Sequence, residues 1–186
     1  MAVLPLVYAP NPLLKKISKP VEKVDDDLRK FMDDMLHTMY AEQGLGLASV
    51  QVGVLKRVLV MDVDYEPEEH HHHHHDHGSC GGVHVKNTNP LYFVNPEILE
   101  KSEELSSYNE GCLSFPDARA EVVRPQEVRV KFLDYHGKEQ VMNLDGILAT
   151  CVQHEIDHLN GVTFVDHISR LKRDVILKKM KKLTAQ

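Results

Sequence analysis

The sequence predicts an α+β fold in which antiparallel or mixed β-sheets pack around a central helix, with one helix before them and one after. Strand-like segments follow one another through the middle of the chain, and helical patterns precede and follow them. Helices segregated from strands in this way are typical of the α+β class. A length of 186 residues with 42% hydrophobic content suits one core. We therefore expect a single domain over residues 1–186.

The first predicted element is a helix near residues 25–41. Asp25 precedes it as a capping residue, and acidic side chains fill its first turn. Apolar residues recur on one face at helical spacing. They are Leu28, Phe31, Met35 and Met39. The pattern predicts an amphipathic helix that packs on the core.

Strands are predicted next. They are RVLVMDVD from Arg57, YFVNPEIL from Tyr92 and EVRVKFLD from Glu127. In the last of these, apolar and basic residues alternate, which is the period of a strand with one buried face. A turn at 135–138 leads into EQVMNL. This spacing predicts an antiparallel hairpin.

Two further helices are predicted after that hairpin. Asp145 stands before GILATCVQHEIDHL, a run without proline, and Gly161 follows at the position of a left-handed cap. The last helix is expected from about Ser169 to Lys182.

The central helix contains His154, Glu155 and His158, an H-E-x-x-H pattern. Since a helix turns by about 100° per residue, the two histidines lie on one face, one turn apart, where both imidazoles can reach one ion. Glu155 on the adjoining flank can contact a water without ligating the metal. A polar surface helix with a chance match is the alternative.

The turn before the motif carries Ile147, Thr150 and Cys151 on the same stripe as the histidines. These side chains can wall a substrate pocket beside the metal. Ordinary core packing is the alternative for Ile147, Leu148 and Cys151.

A catalytic site with an open position needs a third protein ligand. A third histidine in the metzincin-like pattern is excluded because Phe164 stands there, and no glutamate follows Glu155. Cys151 lies about 10 Å along the helix from His158, too far for ligand bonds of about 2 Å. Cys80 lies in a glycine-rich stretch, whereas Cys112 lies between a glycine and a Ser-Phe-Pro exit. Cys112 is the predicted third ligand.

Three segments together resemble the motifs of peptide deformylases. They are GLGLASVQ at 44–51, EGCLS at 110–114 and QHEIDH at 153–158. The resemblance extends from YAPNPLLKKISKPV near the start to the lysine-rich last helix. It implies a hydrolase that removes the N-formyl group from the formylmethionine of nascent polypeptides and releases formate.

The resemblance also implies roles for individual residues. The metal ligands would be Cys112, His154 and His158, with Glu155 as general base and acid. The metal would natively be Fe²⁺, with Zn²⁺, Ni²⁺ or Co²⁺ able to replace it. The formyl oxygen would be held by Gln51 and by the backbone N–H of Leu113, although a Gln51 side chain bonded to its own backbone is the alternative.

Substrate contacts are implied as well. Gly44 and Gly46 would let an extended peptide approach the backbone, and Leu45 and Gly111 would pair with its main chain. The methionine pocket would draw on Gly46, Leu113, Arg119, Ile147, Thr150 and Cys151.

Residues 65–90 depart from the family pattern and are interpreted as a histidine-rich loop insertion. The segment holds six consecutive histidines at 70–75, with His77, Cys80 and His84 nearby. A solvated loop is the favoured interpretation, and adventitious nickel or zinc binding is the alternative.

Composition agrees with a cytoplasmic enzyme. Three cysteines indicate a ligand thiol rather than a disulfide framework, and the net charge of −6 gives no general reason to expect nucleic-acid binding. No apolar run has the roughly 18 to 20 residues of a membrane span. We expect a monomer with no membrane association.

The last helix, SRLKRDVILKKMKKL, carries seven basic residues and one aspartate. A solvated face explains this, and docking on the ribosome is the second hypothesis. For the whole chain, an H-E-x-x-H metalloprotease and a non-enzymatic histidine-rich metal-binding protein are the alternative functions.

Overall fold

A computed structural model describes residues 1–67 and 85–184 of the chain. The α-helices within these ranges are α1 (Asp26–Ala41), α2 (Gly146–Leu159) and α3 (Arg170–Leu183). The strands are β1 (Gly46–Ala48), β2 (Val58–Met61), β3 (Glu66–Pro67), β4 (Val85–Lys86), β5 (Leu91–Lys101), β6 (Leu105–Cys112), β7 (Phe115–Pro125), β8 (Glu127–Leu133) and β9 (Glu139–Asp145). Short 3-10 helices lie at Pro12–Lys15, Ser49–Val52 and Phe164–Asp166. The α+β prediction is confirmed.

The main sheet has five strands in the order β1-β2-β5-β8-β9. Every neighbouring pair in it is antiparallel. Strands β6 and β7 form a separate antiparallel pair, as do β3 and β4. No helix in the described ranges is long and apolar enough to span a membrane.

Helix α1 begins as its sequence predicts. The Asp25 side chain accepts a hydrogen bond from the backbone N–H of Leu28 at 3.0 Å, which satisfies a free donor of the first turn. Met35 and Met39 are fully buried, while Phe31 is only partly buried. The apolar face of α1 packs on β1 and β2.

The predicted hairpin is β8–β9, in continuous register from Glu127 opposite Asp145 to Leu133 opposite Glu139. Val128, Val130 and Phe132 are buried, as their alternation with basic residues predicts. This face of the sheet supports α2.

Strands β6 and β7 were not predicted. The stretch LSSYNEGC of β6 contains few apolar residues, and its side chains are mostly exposed or half-buried. Because so few of these residues are apolar, β6 has no apolar alternation with a period of two, and its strand conformation depends on pairing with β7. The pair nevertheless matters, because β6 ends at Cys112.

Helix α2 lies against the main sheet and is buried over most of its length. Asp145 occupies the N-cap position, but its side chain accepts no capping hydrogen bond, so only the position was predicted correctly. Gly161 has a φ of +73°, and a Cβ there would lie 2.4 Å from the Lys15 carbonyl oxygen. Glycine is therefore required where the chain leaves the helix. The last helix was predicted from about Ser169, and α3 begins one residue later, with Ser169 as its N-cap.

The N-terminal segment runs across α1 and reaches the loops beside α2. Its backbone N–H groups donate from Leu4 to the Thr38 hydroxyl, from Val7 to the Gln51 carbonyl and from Ala9 to the Ser114 carbonyl. The segment thus connects the end of β1 with the turn after β6.

The predicted insertion at 65–90 begins and ends in the short pair β3–β4. The histidines at 70–75, together with His77, Cys80 and His84, lie outside the described residues. The loop interpretation therefore stays a prediction.

Candidate metal centre

Three predicted ligand residues lie together at the junction of β6 and α2. The ligand atoms of Cys112, His154 and His158 all lie within 4.8 Å of one another. The Cys112 Sγ is 3.2 Å from His158 Nε2, and the two imidazole centroids are 5.0 Å apart. Helical spacing brings the histidines together, and the end of β6 adds the thiol.

These residues fit a divalent cation. Two imidazoles and one thiolate are a donor set suited to zinc or iron, with a fourth position open for catalysis. Both histidines are buried, and burial holds the pKa of His158 well below its usual range, which keeps the ring neutral for ligation. Cys112 and His154 also line a cavity, so an ion held here would face it.

His154 is oriented by a buried carboxylate. Its Nδ1 lies 2.8 Å from Glu110 Oε2, which leaves Nε2 for an ion. Burial lowers the pKa of His154, but hydrogen bonds to Cys112 and Glu110 outweigh it and raise that pKa well above its usual value. A cation at Nε2 would take the place of the proton retained there.

Glu110 is in turn held by Arg124. The guanidinium donates from Nε to Oε1 at 2.5 Å and from Nη2 to Oε2 at 3.1 Å, and its Nη1 reaches Asp157 at 2.7 Å. Burial raises the pKa of Glu110, yet the hydrogen bonds from His154 and Arg124 bring it below its usual range. The carboxylate therefore stays ionised.

Glu110, Arg124 and Asp157 were not predicted as site residues. Glu110 is the first residue of the EGCLS segment, and Asp157 lies within the H-E-x-x-H pattern. Their positions in these two motifs could have marked them as site residues. Arg124 carries no such signal because only the β6–β7 pairing brings it near the centre.

Glu155 is a second buried carboxyl group of the site, 4% exposed, and it also lines the cavity. Burial raises its pKa to about 7, so it can both take and return a proton near neutral pH. Its Oε2 has no hydrogen-bond partner among the described residues. A Cβ on Gly46 would lie 2.6 Å from Glu155 Oε1, so only glycine leaves room for this carboxylate.

Gln51 lies in the 3-10 helix after β1 and is 1% exposed. Its Oε1 accepts from the backbone N–H of Ala48 at 2.7 Å, which is the local bond that the alternative interpretation foresaw. This bond turns the amide so that Nε2 points to Cys112 Sγ at 3.5 Å and Ser114 Oγ at 3.3 Å. The amide donor therefore faces the metal centre.

The cavity beside the centre has a volume of about 630 Å³, within the range of small-ligand sites. Its wall includes every residue that the family resemblance implied for substrate binding. These are Gly44, Leu45, Gly46, Gly111, Arg119, Ile147, Thr150 and Cys151. Leu113 also lines it, in the turn between β6 and β7. The unpredicted lining residues include Tyr8, Glu42, Tyr108 and Asp117.

Gly44 brings two walls of the cavity close together. A Cβ there would lie 2.7 Å from Leu113 Cδ1, so the loop before β1 packs against a side chain of the turn after β6. Cys112 and His154 line the same cavity.

A buried carboxyl that titrates near 7, a Cys-His-His donor set and an amide donor beside one cavity define a metal-dependent hydrolase. The family model described as polypeptide deformylase matches residues 3–174. The chain belongs to the polypeptide deformylase family.

Proteins named peptide deformylase are similar to this chain over nearly their whole length. A peptide deformylase of Mesorhizobium japonicum is 52% identical over 183 residues, which cover 98% of this chain and 94% of the relative. One of Brucella suis is 50% identical over 186 residues, covering 100% and 96%. The crystal structure of the Ehrlichia chaffeensis peptide deformylase has a TM-score of 0.83 at 45% identity, covering 98% of this chain and 97% of that chain.

The protein is therefore an enzyme that removes the N-formyl group from formylmethionyl peptides. The family implies a single catalytic metal ion, for which the chain has the Cys112, His154 and His158 group. These similarities support the deformylase interpretation and neither of the two alternatives, a metalloprotease or a non-enzymatic metal-binding protein.

Proposed function

We propose that Cys112, His154 and His158 hold one Fe²⁺ ion and that Glu155 is the general base and acid of deformylation. The observation that carries this proposal is the donor set within 4.8 Å at the cavity wall, beside a carboxyl whose pKa burial raises to about 7. When bound, a divalent cation supplies Lewis acidity that makes water a nucleophile near neutral pH.

The chain's own groups perform the proton and charge transfers. Glu155 takes a proton from the attacking water and returns it to the departing amine. The Gln51 amide and the backbone N–H of Leu113 bind the negative charge that develops on the formyl oxygen. Each fixed donor of this kind contributes about 2.7 to 4 kcal/mol to lowering the barrier.

The peptide lies extended in the cleft. Leu45 and Gly111 pair with its main chain, and Gly44 and Gly46 permit the close approach. The pocket for the methionine side chain is walled by Ile147, Thr150 and Cys151 from α2 and by Gly46, Leu113 and Arg119 from the opposite side. The side chains of Ile147, Cys151 and Leu113 give this pocket an apolar surface, which favours methionine over charged side chains.

The metal proposal is tested on protein purified without oxygen. We expect iron at one equivalent by elemental analysis and the fastest formate release from formyl-Met-Ala with Fe²⁺. Zn²⁺, Ni²⁺ and Co²⁺ are expected to occupy the same three ligands. An unformylated Met-Ala peptide is the matched control, and its cleavage would contradict the proposal by indicating a protease.

An inhibitor offers a second test. Peptide deformylase of Ehrlichia chaffeensis has been solved in complex with actinonin. We expect actinonin to compete with formyl-Met-Ala here, since the fold is shared at a TM-score of 0.83. Inhibition without competition would contradict placement of the substrate in this cavity.

The enzyme is expected to act in the cytoplasm as a monomer that meets nascent chains at the ribosome through the basic face of α3. Lys179 is less suited to this role, because its Nζ donates to the Asp117 carbonyl at the cavity rim. Neutralising Lys178, Lys181 and Lys182 should therefore weaken ribosome binding and flatten its salt dependence without altering turnover on short peptides. Unchanged salt-dependent binding would contradict this.

A further inference from the structure

A chain of hydrogen bonds leads from His154 to the protein surface. His154 contacts Glu110, Glu110 contacts Arg124, and Arg124 donates to Asp157 Oδ2 at 2.7 Å. The same Oδ2 atom lies 2.7 Å from Nε2 of His167. The exposed fraction of these side chains is 8% at His154, 4% at Glu110 and 5% at Arg124, and then rises to 22% at Asp157 and 34% at His167.

His167 is held in place by its local backbone. It follows the 3-10 helix Phe164–Asp166, and its N–H donates to the Phe164 carbonyl. Phe164 and Val165 are buried, and Thr163 bonds to Asp166 through both its N–H and its hydroxyl. The imidazole is thus presented to Asp157 by a fixed turn rather than by a mobile loop.

The outer histidine compensates a charge imbalance. Glu110 and Asp157 are two carboxylates that share one guanidinium, so Asp157 needs a second donor when it is removed from water. Asp157 Oδ2 lies 2.7 Å from both Arg124 Nη1 and His167 Nε2, so the histidine supplies that second partner. Held in this way, Asp157 contacts Arg124 from the outer side.

We propose that His167 is a positioning residue for the metal centre, which acts through Asp157, Arg124 and Glu110 to fix the ring of His154. It touches neither substrate nor ligand atoms. The inference rests on the proposed function only in requiring that His154 ligates a divalent cation. Removing the His167 donor frees Asp157 to turn toward water, which loosens Arg124 and then Glu110.

The test measures the rate at which the full-length, Co²⁺-loaded chain releases Co²⁺ to a chelator. The loss of cobalt–thiolate absorption monitors this release. His167→Phe keeps the ring shape without the donor, and His167→Gln restores an N–H at the same reach. We expect roughly 5-fold faster release for the Phe variant, below the roughly 10- to 100-fold effect typical of direct partners of metal ligands. The Gln variant should release Co²⁺ at nearly the wild-type rate. His136→Phe, at an exposed histidine of the β8–β9 turn, is the matched control and should change nothing.

A background variant separates positioning from general destabilisation. In Asp157→Asn protein, replacing His167 by Phe should change release by less than about 2-fold, because coupled residues are non-additive. Equal rates for the Phe and Gln variants, an undiminished effect in the Asp157→Asn background, or no effect of the Phe change would each overturn the inference. If His167→Phe fails to fold, the Gln variant must still match wild type. Wild-type protein that binds no Co²⁺ would instead refute the proposed metal site itself.

Discussion

Helix α2 and the β6–β7 pair both supply the metal centre, yet they differ in how they hold their ligands. The two histidines of α2 lie on a helix that is buried along most of its length against the main sheet. Cys112 ends a strand whose side chains are mostly exposed or half-buried. The helix provides a rigid base for two ligands, and the hairpin adds a third, Cys112, which meets His158 from 46 residues away in the chain. Proton transfer is thus expected to depend on α2 alone, whereas metal retention should depend on the hairpin as well as on the two helix histidines.

The largest effect is expected from Glu155→Ala on α2. Loss of the general base should lower kcat by roughly 10³-fold, in the middle of the range for proton-transfer groups. Formate release measures the loss, and elemental analysis should find the metal content unchanged. Glu139→Ala, on the exposed edge of β9, is the control. Loss of metal together with activity would show that the Glu155 side chain also holds the metal, which would contradict its assignment as a base that does not ligate.

Cys112→Ser on the hairpin should also lower activity, but through loss of the metal. A hydroxyl is a poorer ligand for a soft divalent ion than a thiolate, so the metal should be lost on dialysis and activity should fall with it. Metal content and circular dichroism, measured together, distinguish this from unfolding. A variant that keeps one equivalent of metal would contradict the assignment of Cys112 as a ligand.

Two glycines sharpen the comparison by steric means. At Gly46, beside α2, an added Cβ would lie 2.6 Å from Glu155 Oε1, whereas at Gly111 on β6 it would lie 3.5 Å from the Arg119 side chain. Gly46→Ala should lower kcat/KM about 100-fold, since displacing a catalytic group by about 1 Å has an effect of that size. Gly111→Ala should change it only a few-fold. Equal effects would show that the two walls are equally tight.

The smallest effect concerns pH. Burial raises the pKa of Glu155 from 4.5 to about 7, so the folded metal-free protein binds a proton that the unfolded chain has released over this interval. The stability of metal-free protein should therefore fall as pH rises from about 4.5 to about 7. Thermal melts of wild type and Glu155→Gln at pH 5 and pH 7 measure it. The melting temperature should change less between pH 5 and pH 7 in the Gln variant than in wild type. Equal changes in the two proteins would contradict a raised pKa for the buried Glu155 carboxyl.

The same two regions show how far a sequence can predict this fold and site. Helix α2 and its histidines follow from local spacing, and the β8–β9 hairpin follows from alternating side chains around a short turn. Strand β6 lacks that alternation and β7 shows it only over Ala118–Val122, so this hairpin gives a weaker local signal although its strands are adjacent in the chain. Cys112 could be chosen by elimination, but its 3.2 Å approach to His158 could not be inferred.

The network behind His154 escaped prediction for the same reason. Arg124 stands in a stretch with no motif, and only the hairpin register places it against Glu110 and Asp157. Its charge alone is uninformative, because most arginines are solvated at the surface. By contrast, the cleft residues that the family resemblance implied do line one cavity, although their roles remain proposals.

The backbone bonds from Val7 to Gln51 and from Ala9 to Ser114 have a practical consequence. A group attached ahead of Met1 precedes a segment that bonds to the backbone carbonyl of Gln51, the residue whose side-chain amide faces the metal centre. Kinetic constants measured with a fusion partner or solubility tag at that end would include the effect of the tag on Gln51. Variants are therefore best compared without such a tag.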